Sequence, residues 1–468
     1  MKLFEKSNNP IIRGVAGAGK TGCVGTLSKC NKNKTFLYLS FGRENASESK
    51  KRFGENVTTK TFHAFARQYL IDNGLLTNTN IVPKLTPSDI SKIAKEAGCY
   101  VDGEISFHVI AIIDFICKNP IPASYCTHYF SGSNGTNSLA VEKKQMAVDI
   151  FRYYWKYVFT SEWIPITHDV YLKKLSFCRT INVPYDFVVM DEFQDATPIM
   201  VVISKLFVDD PKYMTLRLGD PMQCIFMYQG AIGYQTLKQP HIQLTESKRC
   251  GRNITLIANN LIKASIGNGD LEPMVGAKHD DEVIVSSLRE HMSNGNEKAA
   301  YLTRYNATIL KAMITLNKAD IKFCTQNTLS SGYLNKVNDI ISFVKKERNN
   351  RLKKLYRSLK DLKNHASAID DKETLLLISI VESYKGHMDK LKQDIANIER
   401  NQVGKNAARY MLGTIHQSKG ATYNTVIIAA DVAKVEGITE EEVYVNYTGI
   451  TRACKKLIIP KKLSDLIE

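Results

Sequence analysis

The stretch IIRGVAGAGKTG, residues 11–22, limits the fold more than any other part of this chain. A short apolar run, Ile11 to Val15, reads as a buried strand, and it overlaps the pattern Gly14-x-x-x-x-Gly19-Lys20-Thr21. Glycines at this spacing let the backbone curl until several N–H groups point at one phosphate, and a helix starting there adds its partial positive charge. Lys20 would reach the β- and γ-phosphates, and the Thr21 hydroxyl would ligate Mg²⁺. Gly14, Ala16, Gly17, Ala18, Gly19, Lys20, Thr21 and Gly22 therefore form the candidate nucleotide cradle. A flexible glycine turn is the plainer reading of the same letters.

A second stretch, YDFVVMDEFQDATP at residues 185–198, weighs against that plainer reading. Its apolar run Phe187–Met190 ends in Asp191, Glu192 and, shortly after, Asp195. Acids at a strand end are commonly surface caps. A phosphate loop, however, needs a neighbouring carboxylate to hold Mg²⁺, and Asp191 with Thr21 fits that role. It also needs a group to orient or deprotonate the attacking water, and Glu192 is adjacent. The two stretches together predict an ATP- and Mg²⁺-dependent site.

Composition narrows the partner. The chain has 468 residues, too many for one ordinary core, with 44% hydrophobic and 24% charged residues, which excludes wholesale disorder. Lys and Arg number 63 against 47 acids, a net charge of +16, so polyanions are natural partners and nucleic acid is the commonest. No apolar run reaches the ~18 residues of a membrane span, and MKLFEKSNNP lacks the apolar centre of a signal peptide. The ten cysteines show neither CxxC pairs nor zinc spacing, which reads as reduced thiols in an intracellular, cytoplasmic or nuclear, protein.

With these residues in place the chain resembles the UvrD/Rep-like helicases of superfamily 1, and the F-box DNA helicase branch in particular. The resemblance covers nearly the whole sequence. It runs through residues 36–53, 57–70, the DEFQD acids, LGDPMQCIFMYQGA (218–231), LTESKRCGRNI (244–254), GTIHQSKGATYNTVII (413–428) and EEVYVNYTGITRA (441–453). THDVYLKKLSF (167–177) and ETLLLISIVESYKG (373–386) carry the F-box-branch likeness. No F-box is visible, and a viral or otherwise minimal helicase core is expected. The resemblance implies that Gln223 bonds the γ-phosphate and attacking water, and that Arg249 and Arg452 bring positive charge to the γ-phosphate. It places Gly420 at the nucleotide. It also implies single-stranded DNA contacts by Phe41, Thr61, His63, Phe226, Tyr228, Thr414 and His416, and movement 3′ to 5′. For each aromatic, core packing is the competing reading.

Four departures bear on selectivity and coupling. The N-terminal decapeptide has no Gln to read adenine, Lys248 stands where relatives carry a base-stacking aromatic, and Ala421-Thr422 follow Lys419-Gly420 where relatives carry a ribose-binding Glu. These losses touch base and sugar, so relaxed nucleotide selectivity is expected. Gln229 replaces an Arg before Gly230-Ala231, which should alter coupling between hydrolysis and the strand.

The expected fold is α/β: two RecA-like motor domains, each with an inserted, mostly helical subdomain. The first combines residues 1–70 and 175–240, with an insertion at 71–174 that includes the polar loop SGSNGTNS (131–138). The second combines 241–325 and 406–468, with a short insertion at 326–405. Strands are expected at 35–40, 187–190, 214–218, 282–286, 299–302, 426–430 and 457–459. The second insertion has no proline and places Leu352, Leu355, Tyr356, Leu359 and Leu362 on one helical face. Nine basic residues lie between 345 and 363, so this helix reads as duplex-binding, as a solvated face or as lying on a membrane surface. The expected protein is an ATP-dependent helicase or translocase on single-stranded DNA and single-strand/duplex junctions. It would be a monomer without membrane association, its partners drawn from replication, repair or recombination proteins. A DNA-binding scaffold with a decayed motor and an RNA-directed helicase remain alternatives. A signalling GTPase or a P-loop kinase is disfavoured, because neither needs both arginines.

Overall fold

A computed structural model describes residues 9–131, 140–232, 241–266, 272–293, 297–348, 350–384, 386–432 and 438–466. Residues 132–138 of the polar loop lie outside the described residues. The chain divides into two compact units, one of residues 1–14 and 19–244, the other of residues 15–18 and 245–468.

The first unit is built on a six-stranded sheet: β1 (Ile11–Gly14), β2 (Phe36–Ser40), β3 (Val57–Thr61), β4 (Phe187–Met190), β5 (Met214–Gly219) and β6 (His241–Leu244). Every pairing is parallel and the order is β3-β2-β4-β5-β1-β6. FLYLS and FVVM are buried at every position, as the near-continuous apolar runs of a sheet covered on both faces require. The register pairs Met190 with Arg217 and Arg13 with Gly219, so β4, β5 and β1 end at one edge. Ligand sites of open parallel sheets lie at such carboxyl ends. Between β3 and β4 the chain adds helices. The helix Gly103–Lys118 is capped by Asp102, which accepts the Ile105 N–H at 2.8 Å, and it buries Ile105, Val109, Ile112, Ile113 and Ile116. Each such aliphatic side chain contributes about 1.5–3 kcal/mol relative to exposure.

The second unit repeats the plan with β7 (Glu282–Val285), β8 (Ala299–Thr303), β9 (Phe323–Thr325), β10 (Tyr410–Thr414), β11 (Tyr423–Ile428) and β12 (Ala453–Ile459), ordered β7-β12-β11-β8-β10-β9 and again parallel. The segment between β9 and β10 is helical, at Ser331–Val344, Leu359–Ala368, Lys372–Ser383 and Met388–Ala396. Its Val337, Ile341, Leu377, Ile378 and Leu391 share one hydrophobic core with Tyr301, Tyr410, Leu412 and Ile427 of the sheet. A polar tie accompanies that core. The helix Asn306–Lys318 has no side-chain cap from its own N-cap residue, Tyr305, and Glu373 supplies one instead. Its Oε1 accepts the Ala307 N–H at 2.7 Å and the Tyr333 hydroxyl.

The single amphipathic helix expected through Leu352–Leu362 does not form. A short 3-10 turn covers Arg351–Lys354, started by the Asn350 side chain on the Leu352 N–H, and an α-helix begins only after Ser358, which caps the Asp361 N–H. Leu352, Tyr356 and Leu362 pack inward while Leu355 is 72% exposed. Four strands escaped the apolar-run reading. Three are edge or edge-proximal: β3 with one buried residue, β6 with none, and β9 with three residues in all. The fourth, β10, carries Gly413. Among the described residues, no single helix is long and apolar enough to cross a membrane.

Candidate nucleotide site and nucleic-acid residues

The phosphate loop leaves β1 at Gly14 and enters the helix Lys20–Cys30 through Gly19, whose φ of 82° is a left-handed conformation that glycine adopts without penalty. Lys20 is buried, and its ammonium donates to the Gly14 carbonyl at 2.8 Å, bridging the two ends of the loop. Thr21 donates to Asp191 Oδ2 at 3.0 Å. The two residues expected to hold Mg²⁺ are thus in direct contact, and a hydroxyl beside a carboxylate is a hard-oxygen pair suited to that ion. Gly22 lies inside the helix with open space where a side chain would project.

Asp191 follows β4, its N–H bonded to the Leu39 carbonyl at 3.0 Å. It also accepts from the Tyr38 hydroxyl, which in turn accepts from Ser49 at 3.3 Å. Burial, and then the neighbouring Glu192 charge, push the Asp191 carboxyl above its ordinary range, while the Tyr38 hydrogen bond and the Lys20 ammonium oppose the shift. Asp220, after β5, is raised by burial in the same way. Two buried carboxyls around one ammonium make a pocket that favours added positive charge.

Glu192 adopts φ 54°, a left-handed conformation that costs a non-glycine residue about 1 kcal/mol or more. Its carboxylate is fixed by Gln194, whose Nε2 donates at 2.6 Å while its Oε1 accepts the Asp220 N–H at 3.1 Å. Gln223 Nε2 then donates to Asp220 Oδ2 at 2.6 Å. The chain Glu192–Gln194–Asp220–Gln223 joins the ends of β4 and β5. Sequence reasoning missed Gln194 and Tyr38. For Tyr38 the sequence offered a signal, a phenol within the strand FLYLS, whereas the role of Gln194 rests on the pairing of β4 with β5, which its place two positions after Glu192 does not reveal.

In the second unit Arg249 Nη1 donates to the Thr451 carbonyl at 3.0 Å, next in sequence to Arg452. Arg452 is fully buried, with Nε on the Thr448 carbonyl at 3.0 Å and Nη1 on that of Ala421 at 3.3 Å. Gly420 is exposed at φ 86°. Ala16 and Gly17, grouped with this unit, bond its residues: Ser247 Oγ donates to the Ala16 carbonyl at 2.8 Å, and the Lys248 N–H to that of Gly17 at 2.9 Å. A Cβ on Gly17 would meet Arg249 Cβ at 2.6 Å. Ala18 is buried.

The nucleic-acid candidates differ in accessibility. Tyr228 is 62% exposed, its ring centroid 6.3 Å from that of half-buried Phe226, and its hydroxyl accepts from Gln229 at 2.8 Å. Phe41 is half-buried against Phe62 at 5.2 Å. Thr61 caps the helix Phe62–Asp72 through the Ala64 N–H, and His63 lies 3.4 Å from Asp169, whose carboxyl it holds below the ordinary range. Thr414 is buried at the end of β10, with Oγ1 accepting the Gln417 N–H at 3.2 Å, and His416 is half-buried.

The chain matches the UvrD-like helicase C-terminal domain over residues 28–463. It is 26% identical to F-box DNA helicase 1 of Gallus gallus over 512 aligned positions, covering 99% of this chain and 48% of that protein. F-box DNA helicase protein 1 of Schizosaccharomyces pombe is 22% identical over 500 positions, covering 97% of this chain and 56% of the relative. The chain therefore spans about half the length of the curated relatives it matches. On the extent of the family match, with two parallel α/β units and a phosphate loop beside paired acids, the chain belongs to the UvrD-like helicase family.

Proposed function

We propose that the chain is an ATP-dependent DNA helicase or translocase acting on single-stranded DNA and single-strand/duplex junctions, with movement 3′ to 5′. The observation that carries this reading is the convergence of Lys20, Thr21, Asp191, Glu192 and Gln223 at the carboxyl ends of β1, β4 and β5. The loop N–H groups and Lys20 bind and orient the triphosphate. Thr21 and Asp191 are the residues that would hold Mg²⁺, which when bound neutralises charge on the phosphates. Glu192, steadied by Gln194, takes the proton of the attacking water, and Gln223 orients that water. Arg249 and Arg452 are assigned to the charge that builds on the γ-phosphate during turnover.

On the nucleic-acid side, exposed Tyr228 beside Phe226 is a stacking candidate that reads no sequence. The relatives' names favour DNA over RNA. We assign residues 71–174 and 326–405 to the two inserted subdomains. The test is unwinding of a DNA duplex bearing a 3′ or a 5′ single-stranded tail, run beside matched RNA. Unwinding confined to 3′-tailed DNA supports the proposal. Equal activity on RNA favours the RNA-directed alternative, and binding without hydrolysis favours the scaffold.

A further inference from the structure

β10 carries a buried glycine, Gly413, one position before its end. Glycine weakens a strand and commonly marks the close approach of another group. Here that group is Gln326: a Cβ on Gly413 would meet Gln326 Oε1 at 2.8 Å and Gln326 Cβ at 3.2 Å. Gln326 follows β9 directly, and its N–H donates to the Leu412 carbonyl at 2.8 Å, so the ladder between β9 and β10 runs on to this residue.

The side chain makes a bond that the ladder does not need. Its Nε2 donates to the Gln417 carbonyl, in the loop that follows β10. Gln417 in turn holds Thr414 twice: its N–H donates to Thr414 Oγ1 at 3.2 Å, and its Oε1 accepts the Thr414 N–H at 3.0 Å. The Ser418 and Lys419 N–H groups close turns on the carbonyls of Thr414 at 3.0 Å and His416 at 3.3 Å. One amide beside β9 thus fixes the residue around which Thr414 and His416 are arranged. The other end of that amide, Oε1, is buried with no hydrogen-bond partner among the described residues. An unpaired buried acceptor costs stability, so the side chain is there for its donor.

We infer that Gln326 is a positioning residue for single-stranded DNA: it holds the 414–419 loop in its strand-contacting form, and position 413 is glycine in order to admit the amide. The inference rests on the helicase reading, in which Thr414 and His416 touch the strand. A hydroxyl and an imidazole on one loop meet a strand together only at a fixed separation, because hydrogen bonds are directional. Gln402 provides the matched comparison. Its Nε2 also ties β9, donating to Thr325 Oγ1 at 3.2 Å, and its Oε1 is likewise buried without a partner among the described residues. Its side-chain bond runs to β9 and not to the loop.

The test compares Gln326→Met, Gly413→Ala and Gln402→Met in the full chain. Met fills the space of Gln without its donor, Gly413→Ala displaces the same amide from the strand side, and a thermal melt checks that each variant is folded. Binding of a fluorescent single-stranded DNA oligomer, followed by anisotropy without nucleotide, should weaken about tenfold in Gln326→Met and in Gly413→Ala, about the value of one hydrogen bond to a charged group. Gln402→Met should bind as the unaltered chain does. The double variant Gln326→Met/Gly413→Ala should bind no more weakly than Gly413→Ala alone, since both act through one amide. In steady-state hydrolysis, Gln326→Met should raise the half-saturating DNA concentration about tenfold and keep kcat at saturating DNA within about twofold. Unchanged DNA affinity in folded Gln326→Met, or an equal loss in Gln402→Met, overturns the inference and leaves the helicase reading standing. An unaltered chain that binds no single-stranded DNA removes both.

Discussion

Gln194→Met isolates the buried amide between Glu192 and Asp220. Met keeps the length and loses both hydrogen-bonding ends. The Asp220 N–H, buried with its residue at 2% exposure, would be left without its 3.1 Å acceptor. An unsatisfied buried donor costs about 1–3 kcal/mol, and that sets the expected loss of unfolding free energy, with the half-buried Glu192 adding less. The catalytic effect works through Glu192, whose carboxylate loses the 2.6 Å donor that fixes its direction. A general base is worth about 10²–10⁴-fold, and misorienting it forfeits part of that, so kcat for ATP should fall by about tenfold with KM close to unchanged. Steady-state phosphate release at saturating single-stranded DNA gives both constants, and urea denaturation gives the stability. In a Glu192→Gln background the added Gln194→Met should cost little further rate, because the amide then has no base to position. Unchanged kcat, or a full second loss in that background, would refute the positioning role.

Four further predictions rest on other parts of the molecule. Gly17→Ala should strongly depress hydrolysis, since φ is +75° and the new Cβ would sit 2.6 Å from Arg249 Cβ. Gly22→Ala, within the helix and with no protein atom within 4 Å of the added Cβ, should raise the unfolding free energy by about 0.5–1 kcal/mol, and an unchanged or lowered melting curve would contradict that. Glu373→Ala should lower the unfolding free energy by about 1–2 kcal/mol, since it uncaps the Ala307 N–H and frees the Tyr333 hydroxyl; an unchanged melting curve would contradict that tie. Competition between ATP, GTP and dATP in the hydrolysis assay should show little preference, and a strong selection for ATP would contradict the reading of Lys248, Ala421 and Thr422.

Legibility from sequence followed the physics of each element. β2 and β4 were readable because a strand buried on both faces must be apolar throughout, and FLYLS and FVVM are. β3 and β6 were not, because edge strands bury little and VTTKT and HIQL carry no such signal. The Lys20, Thr21 and Asp191 cluster could be anticipated because phosphate and Mg²⁺ chemistry dictates residue type and spacing together. Gln194 escaped because its role depends on β4 and β5 being neighbours, a long-range pairing that no local spacing reveals. The Leu352–Leu362 stripe misled for the opposite reason. Its periodicity is helical, but Asn350 and Ser358 cap the backbone locally and divide it.

The most direct test of the motor assignment is steady-state ATP hydrolysis with and without a single-stranded DNA oligomer, with Lys20→Ala as the control. Lys20 sits at the one point where the loop, the helix start and the buried acids converge. The account predicts strong stimulation by DNA and its loss in the variant. Hydrolysis that DNA leaves unchanged, or that survives Lys20→Ala, would contradict it.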